Sequence, residues 1–464
     1  MRRRTLLRSS LGVTAAGTLG ILAASGAEGA PTLPDDAEIY GVPTVDPLIV
    51  QRADPFITKP VGGTYYFTGS VPEYDRLVVR GASTIAGLAD AEETVIWRRP
   101  TSGTMGGHIW APELHRIGGR WYIYFAAGDA GNVFRIRRYV MESALDDPRD
   151  PAGWTLKGQL LTEWDGFTLD ATTFAHRGRQ YLAWAQSEPE IAVNTSLYIA
   201  ELANPWTLGS KPTRITTPTK SWEIQGFRVN EGPAVLIRNG KVFMTFSASA
   251  TDARYCMGLL TADAHDDLLK RESWVKTPDP IFVTNEATNR WGPGHNSFTV
   301  AEDGKTDVLV YHARDYRDIT GDPLYDPNRH TRVQKLYWHE DGTPLFGIPV
   351  GTGGPIVRLS PSSHYFVRHT GDAFAVEREP RALEQTQFRF IKAADGTETV
   401  QSVDQPTKFL TVNGSAVSLS TTGTPVTRVA TRDGVTIRVA PGRFLRHTAG
   451  GLTVSDRASV FRLS

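Results

Sequence analysis

Residues 230–246 read NEGPAVLIRNGKVFMTF, and this stretch decides the fold. It holds a polar motif, a β-rich run, a turn at Gly240 and a second β-rich run, in that order. The same order recurs along the chain, with strand-like runs after a glycine-containing turn at 65–67, 121–125, 181–184 and 308–311. Five similar antiparallel units at near-constant spacing predict an all-β, five-bladed β-propeller.

The polar motifs mark the phase of this repeat. Asp54, Pro112, Asp170, Glu231 and His295 follow one another at intervals of 58, 58, 61 and 64 residues. An irregular β-sandwich is the alternative fold, but it gives no reason for a polar motif at the same phase of every unit. Because the innermost strand of each blade lines the central channel, we expect Asp54, Asp170, Glu231 and His295 to meet in one pocket.

The pattern changes after about Pro355, beyond a linker rich in glycine, proline and serine. Similar short runs at 365–369, 408–412 and 443–447 follow one another at intervals of 43 and 35 residues. Three such units predict a smaller β-trefoil after the propeller. We therefore divide the chain into a segment at 1–30, a propeller at 36–355 and a β-trefoil at 360–464.

The first thirty residues have the order of a secretion signal. Adjacent arginines at 2–4 precede an apolar run at 11–24 and a small-residue stretch that ends at Ala27 or Ala30. The arginines resemble a twin-arginine signal, which exports folded proteins. The apolar run is short for a membrane-spanning helix, so we expect a secreted, extracellular protein.

Composition excludes several classes of partner. The formal net charge is zero and no basic run follows the signal, which argues against nucleic acid and anionic membranes as partners. The lone cysteine, Cys256, excludes an internal disulfide framework, and we expect it to be buried.

Three carboxylates in one pocket suit hydrolysis of a glycosidic bond. Like charges in a partly desolvated site raise the pKa of at least one acid, which gives one neutral acid and one ionised base. A metal cage is the competing use of clustered acids. Asp54, Asp170 and Glu231 stand on separate units rather than in one ligand loop, which favours catalysis. The chain has no Gly-x-Ser-x-Gly elbow and no His-Glu-x-x-His zinc motif.

At these residues the sequence resembles the family 43 glycoside hydrolases, five-bladed propellers that act on arabinans and xylans. The resemblance rests on Arg52–Pro55, Leu169–Ala171, Asn230–Pro233 and Gly292–Asn296, taken in that order. It implies that Asp54 is the general base, Asp170 the modulator of the acid's pKa, and Glu231 the general acid. It also implies a structural cation, calcium or sodium, near His295, with no cofactor required for the chemistry.

Three further segments, His108–Glu113, Tyr255–Leu260 and Asp326–Arg332, resemble the subgroup of exo-acting α-1,5-L-arabinofuranosidases. This resemblance implies an inverting enzyme that releases L-arabinose from plant cell-wall arabinan and arabino-oligosaccharides. Trp110 would form the floor under the sugar, and Arg332 would orient Asp170 or a sugar hydroxyl. A β-xylosidase, an endo-arabinanase and a non-catalytic carbohydrate-binding propeller are the alternatives.

The C-terminal units resemble the arabinofuranose-binding β-trefoils of carbohydrate-binding family 42. In that family a histidine pairs with an aspartate later in the same unit. The third unit offers His447 and Asp456, where we expect one working pocket, whereas the first offers only Glu384 and the second lacks the histidine. We expect the protein to be a monomer.

Overall fold

The structure, a computed structural model, describes residues 31–464, so the predicted secretion signal lies outside the described residues. Its regular secondary structure is almost entirely β-strand. One short α-helix, α1, spans Asp36–Tyr40. Single 3-10 turns span Ala86–Leu88, Pro151–Gly153, Ser221–Glu223, Arg271–Ser273, Pro323–Tyr325 and Leu383–Thr386. No helix in this part of the chain is long and apolar enough to cross a membrane.

Twenty strands form five antiparallel sheets. Consecutive strands of a sheet are hydrogen-bonded neighbours, except that the last two strands of the third sheet both pair with its third strand. Blade one contains β1 (Ala53–Ile57), β2 (Tyr65–Ser70), β3 (Arg76–Ala82) and β4 (Thr94–Arg98). Blade two contains β5 (Ile109–Ile117), β6 (Arg120–Asp129), β7 (Asn132–Ser143) and β8 (Trp154–Gln159). Blade three contains β9 (Thr168–His176), β10 (Arg179–Gln186), β11 (Ser196–Asn204), β12 (Thr207–Leu208) and β13 (Thr213–Thr216).

Blade four contains β14 (Asn230–Arg238), β15 (Lys241–Ala248), β16 (Cys256–Asp263) and β17 (Val275–Lys276). Blade five contains β18 (Trp291–Val300), β19 (Asp307–Arg314) and β20 (His330–Lys335). The inner strands β1, β5, β9, β14 and β18 pack against one another around the axis. The predicted all-β, five-bladed propeller is confirmed.

The inner strands share one distortion near their first residues. In each inner strand, two successive paired residues lie three positions apart, whereas their partners on the second strand lie only two positions apart. The register between the two strands therefore shifts by one residue at this point. The first residue inside each shift has a positive φ; these residues are Asp54, Ala111, Asp170, Gly232 and His295. A left-handed residue within a one-residue shift is a β-bulge. Because the bulge recurs in all five blades, it accounts for the motif that recurs in the sequence.

The bulges show that two of the five predicted marker residues, Pro112 and Glu231, are one position away from the equivalent residue of their blade. The residue equivalent to Asp54 and Asp170 is Ala111 in blade two, not Pro112, and Gly232 in blade four. Glu231 lies one residue earlier, where it pairs with Ser247.

The N-terminal segment closes the ring on blade five. Leu48 N donates to Thr331 O, and Thr331 N donates to Ile49 O, which adds a short outer segment beside β20. Arg332, in β20, is buried and donates to Asp46 of the same segment and, at 2.8 Å, to Asp315. The prediction that Arg332 orients Asp170 or a sugar hydroxyl is therefore wrong, since both of its terminal nitrogens are used in ring closure.

A two-stranded hairpin, β21 (Tyr337–Trp338) and β22 (Pro344–Leu345), leads to the C-terminal strands. These strands are β23 (Val357–Ser360), β24 (Tyr365–Thr370), β25 (Ala373–Arg378), β26 (Gln387–Lys392), β27 (Glu398–Ser402), β28 (Phe409–Asn413), β29 (Ala416–Ser420), β30 (Thr427–Thr431), β31 (Gly434–Ala440), β32 (Arg443–Thr448), β33 (Gly451–Ser455) and β34 (Arg462–Leu463). All twelve belong to one curled sheet around a shared apolar core.

The three predicted units correspond to the hairpins β24–β25, β28–β29 and β32–β33. The first hairpin meets the second at Ala373 and Ser418, and the second meets the third at Ala416 and Thr453. This arrangement is compatible with the predicted β-trefoil. The boundaries 36–355 and 360–464 stay predictions; Ile39 packs in the C-terminal core and Val403 in a propeller core.

We expect Arg332→Met to destabilise the fold. Removing one partner of a buried ion pair leaves the other charge uncompensated, so the free energy of unfolding should fall by about 3 kcal/mol. Urea unfolding would measure the change. The matched control is Arg98→Met, which removes an exposed arginine that contacts Asp75 and should cost less than about 1 kcal/mol. Equal losses in the two variants would contradict the ring-closing function of Arg332.

Candidate active site

A cavity of about 370 Å³ lies where the inner strands begin, and all five blades contribute to its lining. Each inner strand supplies its left-handed residue, the residue before it, or both: Asp54, Trp110, Ala111, Leu169, Asp170, Glu231 and His295. In a regular strand neighbouring side chains point to opposite faces. The bulge breaks this alternation, so that Leu169 and Asp170 both line the cavity. The structure thus brings the four predicted polar residues together.

Asp54 is surrounded by donors that favour its ionised form. Ser70 Oγ donates to its Oδ2 at 2.5 Å, and Arg329 Nη1 donates to its Oδ1 at 3.3 Å. His295 Nδ1 lies 3.3 Å from the same Oδ1. Burial alone would raise the pKa of Asp54, but His295, Arg329 and the Ser70 hydrogen bond together hold that pKa below its usual range. Asp54 is therefore an ionised carboxylate that can accept a proton.

Asp170, which is buried, and Glu231, which is partly exposed to the cavity, form a carboxyl pair. Burial raises the pKa of Asp170 well above its usual range, and the charges of Glu231 and Asp54 add to this effect. Burial also raises the pKa of Glu231 to about 7, while the hydrogen bond from Tyr255 opposes the rise. Gly232 N donates to Asp170 Oδ2 at 2.9 Å. The repulsion acts in both directions, so the pair as a unit retains a proton near neutral pH.

Tyr255 and His312, which the sequence did not assign to the site, link Glu231 to Asp54. Tyr255 Oη donates to Glu231 Oε1 at 2.8 Å, and its ring stacks on His312 with the centroids 5.7 Å apart. Asp54 N donates to His312 Nδ1 at 3.1 Å, so the neutral ring carries its proton on Nε2. A Cβ at Gly294 would lie 2.5 Å from the Tyr255 ring, which explains the glycine there.

Arg329, three residues before Arg332, is the arginine of the site. Its Nη2 donates to Tyr74 Oη at 2.9 Å, and Tyr74 Oη donates to Leu324 O at 2.5 Å. Leu324 belongs to the segment 322–324, which lines the cavity. Arg329 and Arg332 lie in one sequence segment, on either side of the first residue of β20. Arg329 reaches Asp54 in the cavity, whereas Arg332 contacts Asp46 and closes the ring.

Trp110 lies in the cavity, as predicted for a floor under the sugar. Its ring stacks on His108 with the centroids 5.0 Å apart and packs edge-on against Tyr74. The exposed side chain of Phe134 covers the outer side of this group. The aromatic cluster fixes the indole plane in the cavity that Asp54 also lines, while its sugar contact stays a prediction.

The residues around His295 do not form a protein-built cation cage. His295 offers one nitrogen toward Asp54 and lies 3.9 Å from Asp170, whereas hard cations take six to eight oxygen ligands. Among residues 31–464, the histidine and acidic side chains grouped closely enough to hold a metal ion are Glu340, His364 and Glu379. The cation near His295 stays a prediction, and no catalytic step depends on it here.

The C-terminal domain pairs different residues from those predicted. His447 Nδ1 contacts Ser459 Oγ at 2.8 Å, and no hydrogen bond joins His447 to the exposed Asp456 within the described chain. In the first unit, however, the buried His369 contacts Asp404 at 2.8 Å. The sequence could not identify this pair because Asp404 belongs to the segment before the second unit.

Comparison with known proteins identifies the family. The model of "Glycosyl hydrolases family 43" matches residues 46–344. An extracellular exo-α-(1→5)-L-arabinofuranosidase of Streptomyces avermitilis is 55% identical over 76% of this chain and 74% of its own length. An α-L-arabinofuranosidase 43 of Humicola insolens is 51% identical over 86% of this chain and 85% of its own.

Among solved structures, an α-L-arabinofuranosidase from Lactobacillus brevis is 53% identical, with a TM-score of 0.66 over 69% of this chain and 99% of that one. A thermostable family-43 glycoside hydrolase shares the fold at 24% identity and a TM-score of 0.56. The chain belongs to glycosyl hydrolase family 43 and is a glycoside hydrolase.

We expect Tyr255→Phe to shift the basic limb of the pH profile upward. The Tyr255 hydrogen bond lowers the pKa of Glu231, so its loss should raise that pKa above about 7 and keep the acid protonated to higher pH. One such bond corresponds to a shift of about half a unit or more. The measurement is kcat/KM against pH, with Tyr325→Phe, an exposed tyrosine, as the control. A basic limb that is unchanged or moves to lower pH would refute this assignment.

Proposed function

We propose that this protein is an inverting, exo-acting α-L-arabinofuranosidase that releases L-arabinose from α-1,5-linked arabinan and arabino-oligosaccharides. The observation that carries the proposal is that one cavity holds an ionised carboxylate beside a carboxyl pair that retains a proton. Asp54 has a lowered pKa, and Asp170 and Glu231 have raised pKa values. The printed names of the two curated relatives support the choice of sugar, and the name of the Streptomyces avermitilis relative also supports the linkage and exo action.

The reaction follows from the different protonation states of these carboxyl groups. Asp54 takes a proton from a water molecule as the water oxygen attacks the anomeric carbon. Glu231 gives its proton to the glycosidic oxygen as the bond between that oxygen and the anomeric carbon breaks. The water attacks from the face opposite the leaving group, so the configuration inverts. The charge of Asp170 favours the protonated form of Glu231 after each turnover, since two neighbouring carboxyl groups in one desolvated cavity do not both ionise readily.

The lining of the cavity favours attack at a chain end. Residues from five blades surround the carboxylates, and the segment 322–324 adds a wall. Arg314 holds this wall through hydrogen bonds to Pro323 O and the side chain of Asp326. A pocket enclosed in this way accepts a terminal sugar more readily than the middle of a chain. The β-xylosidase and endo-arabinanase alternatives predict other products, and the non-catalytic alternative leaves the split pKa values without a function.

We further propose that the enzyme is secreted and acts on plant cell-wall arabinan. The predicted signal at 1–30 and the extracellular naming of the Streptomyces avermitilis relative support this placement. The monomeric state stays a prediction.

Sugar binding by the C-terminal domain is also a proposal. The histidine that has an aspartate partner is the buried His369, with Asp404 on its Nε2 and Gln405 near its Nδ1, whereas His447 contacts Ser459. Burial, together with the charge of Asp404, raises the pKa of Glu384 beside this pair. An acid, an amide and an imidazole close together suit the recognition of sugar hydroxyls.

Two substitutions test the assignment of acid and base. Glu231→Gln should lower kcat/KM on arabinobiose by about 10³-fold, because the sugar leaving group needs a proton. On 4-nitrophenyl α-L-arabinofuranoside the loss should be much smaller, because that leaving group departs as a stable anion. Asp54→Asn should lower the activity on both substrates by similar factors.

Glu272→Gln, which changes an exposed acid on blade four, is the matched control and should keep full activity. Undiminished hydrolysis of arabinobiose by either active-site variant would contradict the assignment of Glu231 as the acid and Asp54 as the base.

A product time course tests exo action. On linear arabinopentaose, arabinose and the tetraose should appear together from the first minutes. Arabinoxylan and xylobiose, assayed beside it, test the branching preference and the β-xylosidase alternative. Early arabinobiose or arabinotriose without arabinose would show endo action and overturn the proposal.

A further inference from the structure

A second cavity, of about 220 Å³, lies between the outer strands of blades three and four. Its lining consists of three cationic side chains and three threonines: Arg214, Thr216, Thr217, Thr219, Arg271 and Lys276. None of these residues lines the catalytic cavity. The hydrolysis described above therefore makes no use of them.

Positive charge exceeds negative charge around this cavity. Glu188 pairs with Arg214 at 2.7 Å, and Glu223 pairs with Lys276 at 2.6 Å. Within the described chain, no carboxylate oxygen comes within 4.0 Å of a nitrogen of Arg271, nor of Lys220. Burial lowers the pKa of Lys276, and the charges of Arg271 and Lys220 lower it further.

The negative charge of Glu223 is already counted against Lys276, and the donors to its oxygens do not include Arg271. Its Oε2 accepts the backbone N–H groups of Thr219 and Lys220, both at 2.7 Å. Its Oε1 accepts from Asn230 Nδ2 at 3.1 Å and from Lys276 Nζ at 2.6 Å. Four donors on one buried carboxylate fix the 219–223 turn, which brings Thr219 to the cavity.

Donors remain available in the cavity. Arg271 uses Nη1 on Trp274 O, which leaves the rest of its planar fork. Lys276 uses its ammonium on Thr217 O and Glu223, which leaves one N–H. A guanidinium fork, an ammonium and hydroxyl groups in one small cavity are the donors that recognise oxyanions.

We propose that this cavity binds an oxyanion, either the carboxylate of an acidic sugar or inorganic phosphate. Both ligands present the same chemistry, with two or more oxygens that share a negative charge. The cavity is also tied to the catalytic strand, since Thr216 and Glu223 both contact Asn230, the residue before Glu231. An acidic sugar held there would anchor a polysaccharide beside β14.

Calorimetric titration at fixed ionic strength tests the proposal, with sodium glucuronate, inorganic phosphate and neutral glucose as probes. At least one anion should bind the full-length wild type, and its affinity should fall at least tenfold in Arg271→Gln. Lys220→Gln should weaken binding in the same direction, and it keeps the contact between Arg271 and Trp274. Arg120→Gln, which removes an exposed arginine of blade two, is the matched control and should bind like the wild type.

Preference for glucuronate assigns the site to an acidic sugar, and preference for phosphate assigns it to a free anion. Equal binding of the anions by wild type and Arg271→Gln, or no anion binding beyond that of glucose, would overturn the proposal. Because the readout is binding, its failure is distinct from a failure of the proposed hydrolysis.

Discussion

Five β-bulges, one at an equivalent position in each inner strand, determine where the chemistry occurs. A strand that alternated regularly would turn one of any two neighbouring side chains away from the axis. The left-handed residue of each bulge breaks this alternation, although for the non-glycine residues Asp54, Ala111, Asp170 and His295 the conformation costs about 1–3 kcal/mol each. The surrounding sheets maintain this strain at one end of the axis, where three carboxylates share a cavity.

Neighbouring groups then divide the carboxylates into a base and an acid. Arg329, Ser70 and His295 surround Asp54, whereas Asp170 and Glu231 have no arginine within ion-pair distance in the described chain. The two environments move the pKa values in opposite directions, as the hydrolysis of a glycosidic bond requires. Tyr255 and His312 connect the two environments, so the acid and the base are held in one rigid network.

The sequence predicts the repeat well, because glycine turns and polar motifs recur at a period that a propeller explains. It identifies the acids for the same reason. It does not reveal the bulge, so the predicted marker residue is one position off in two blades. The bulged residue is Ala111 rather than Pro112 in blade two, and Gly232 rather than Glu231 in blade four.

The sequence also does not predict which side chains from distant segments contact one another. Arg332 closes the ring through Asp46 whereas Arg329 reaches Asp54, and His369 pairs with Asp404 across a unit boundary. Such contacts depend on side-chain direction in the folded chain, which spacing alone does not encode.

The stereochemical outcome of hydrolysis tests the central claim, that Asp54 activates a water molecule on the face opposite to Glu231. Proton NMR in the first minutes, with an α-linked substrate and added methanol, should show β-L-arabinofuranose as the first product and no methyl arabinoside. First release of the α-anomer, or formation of methyl α-L-arabinofuranoside, would indicate a covalent intermediate and contradict the account.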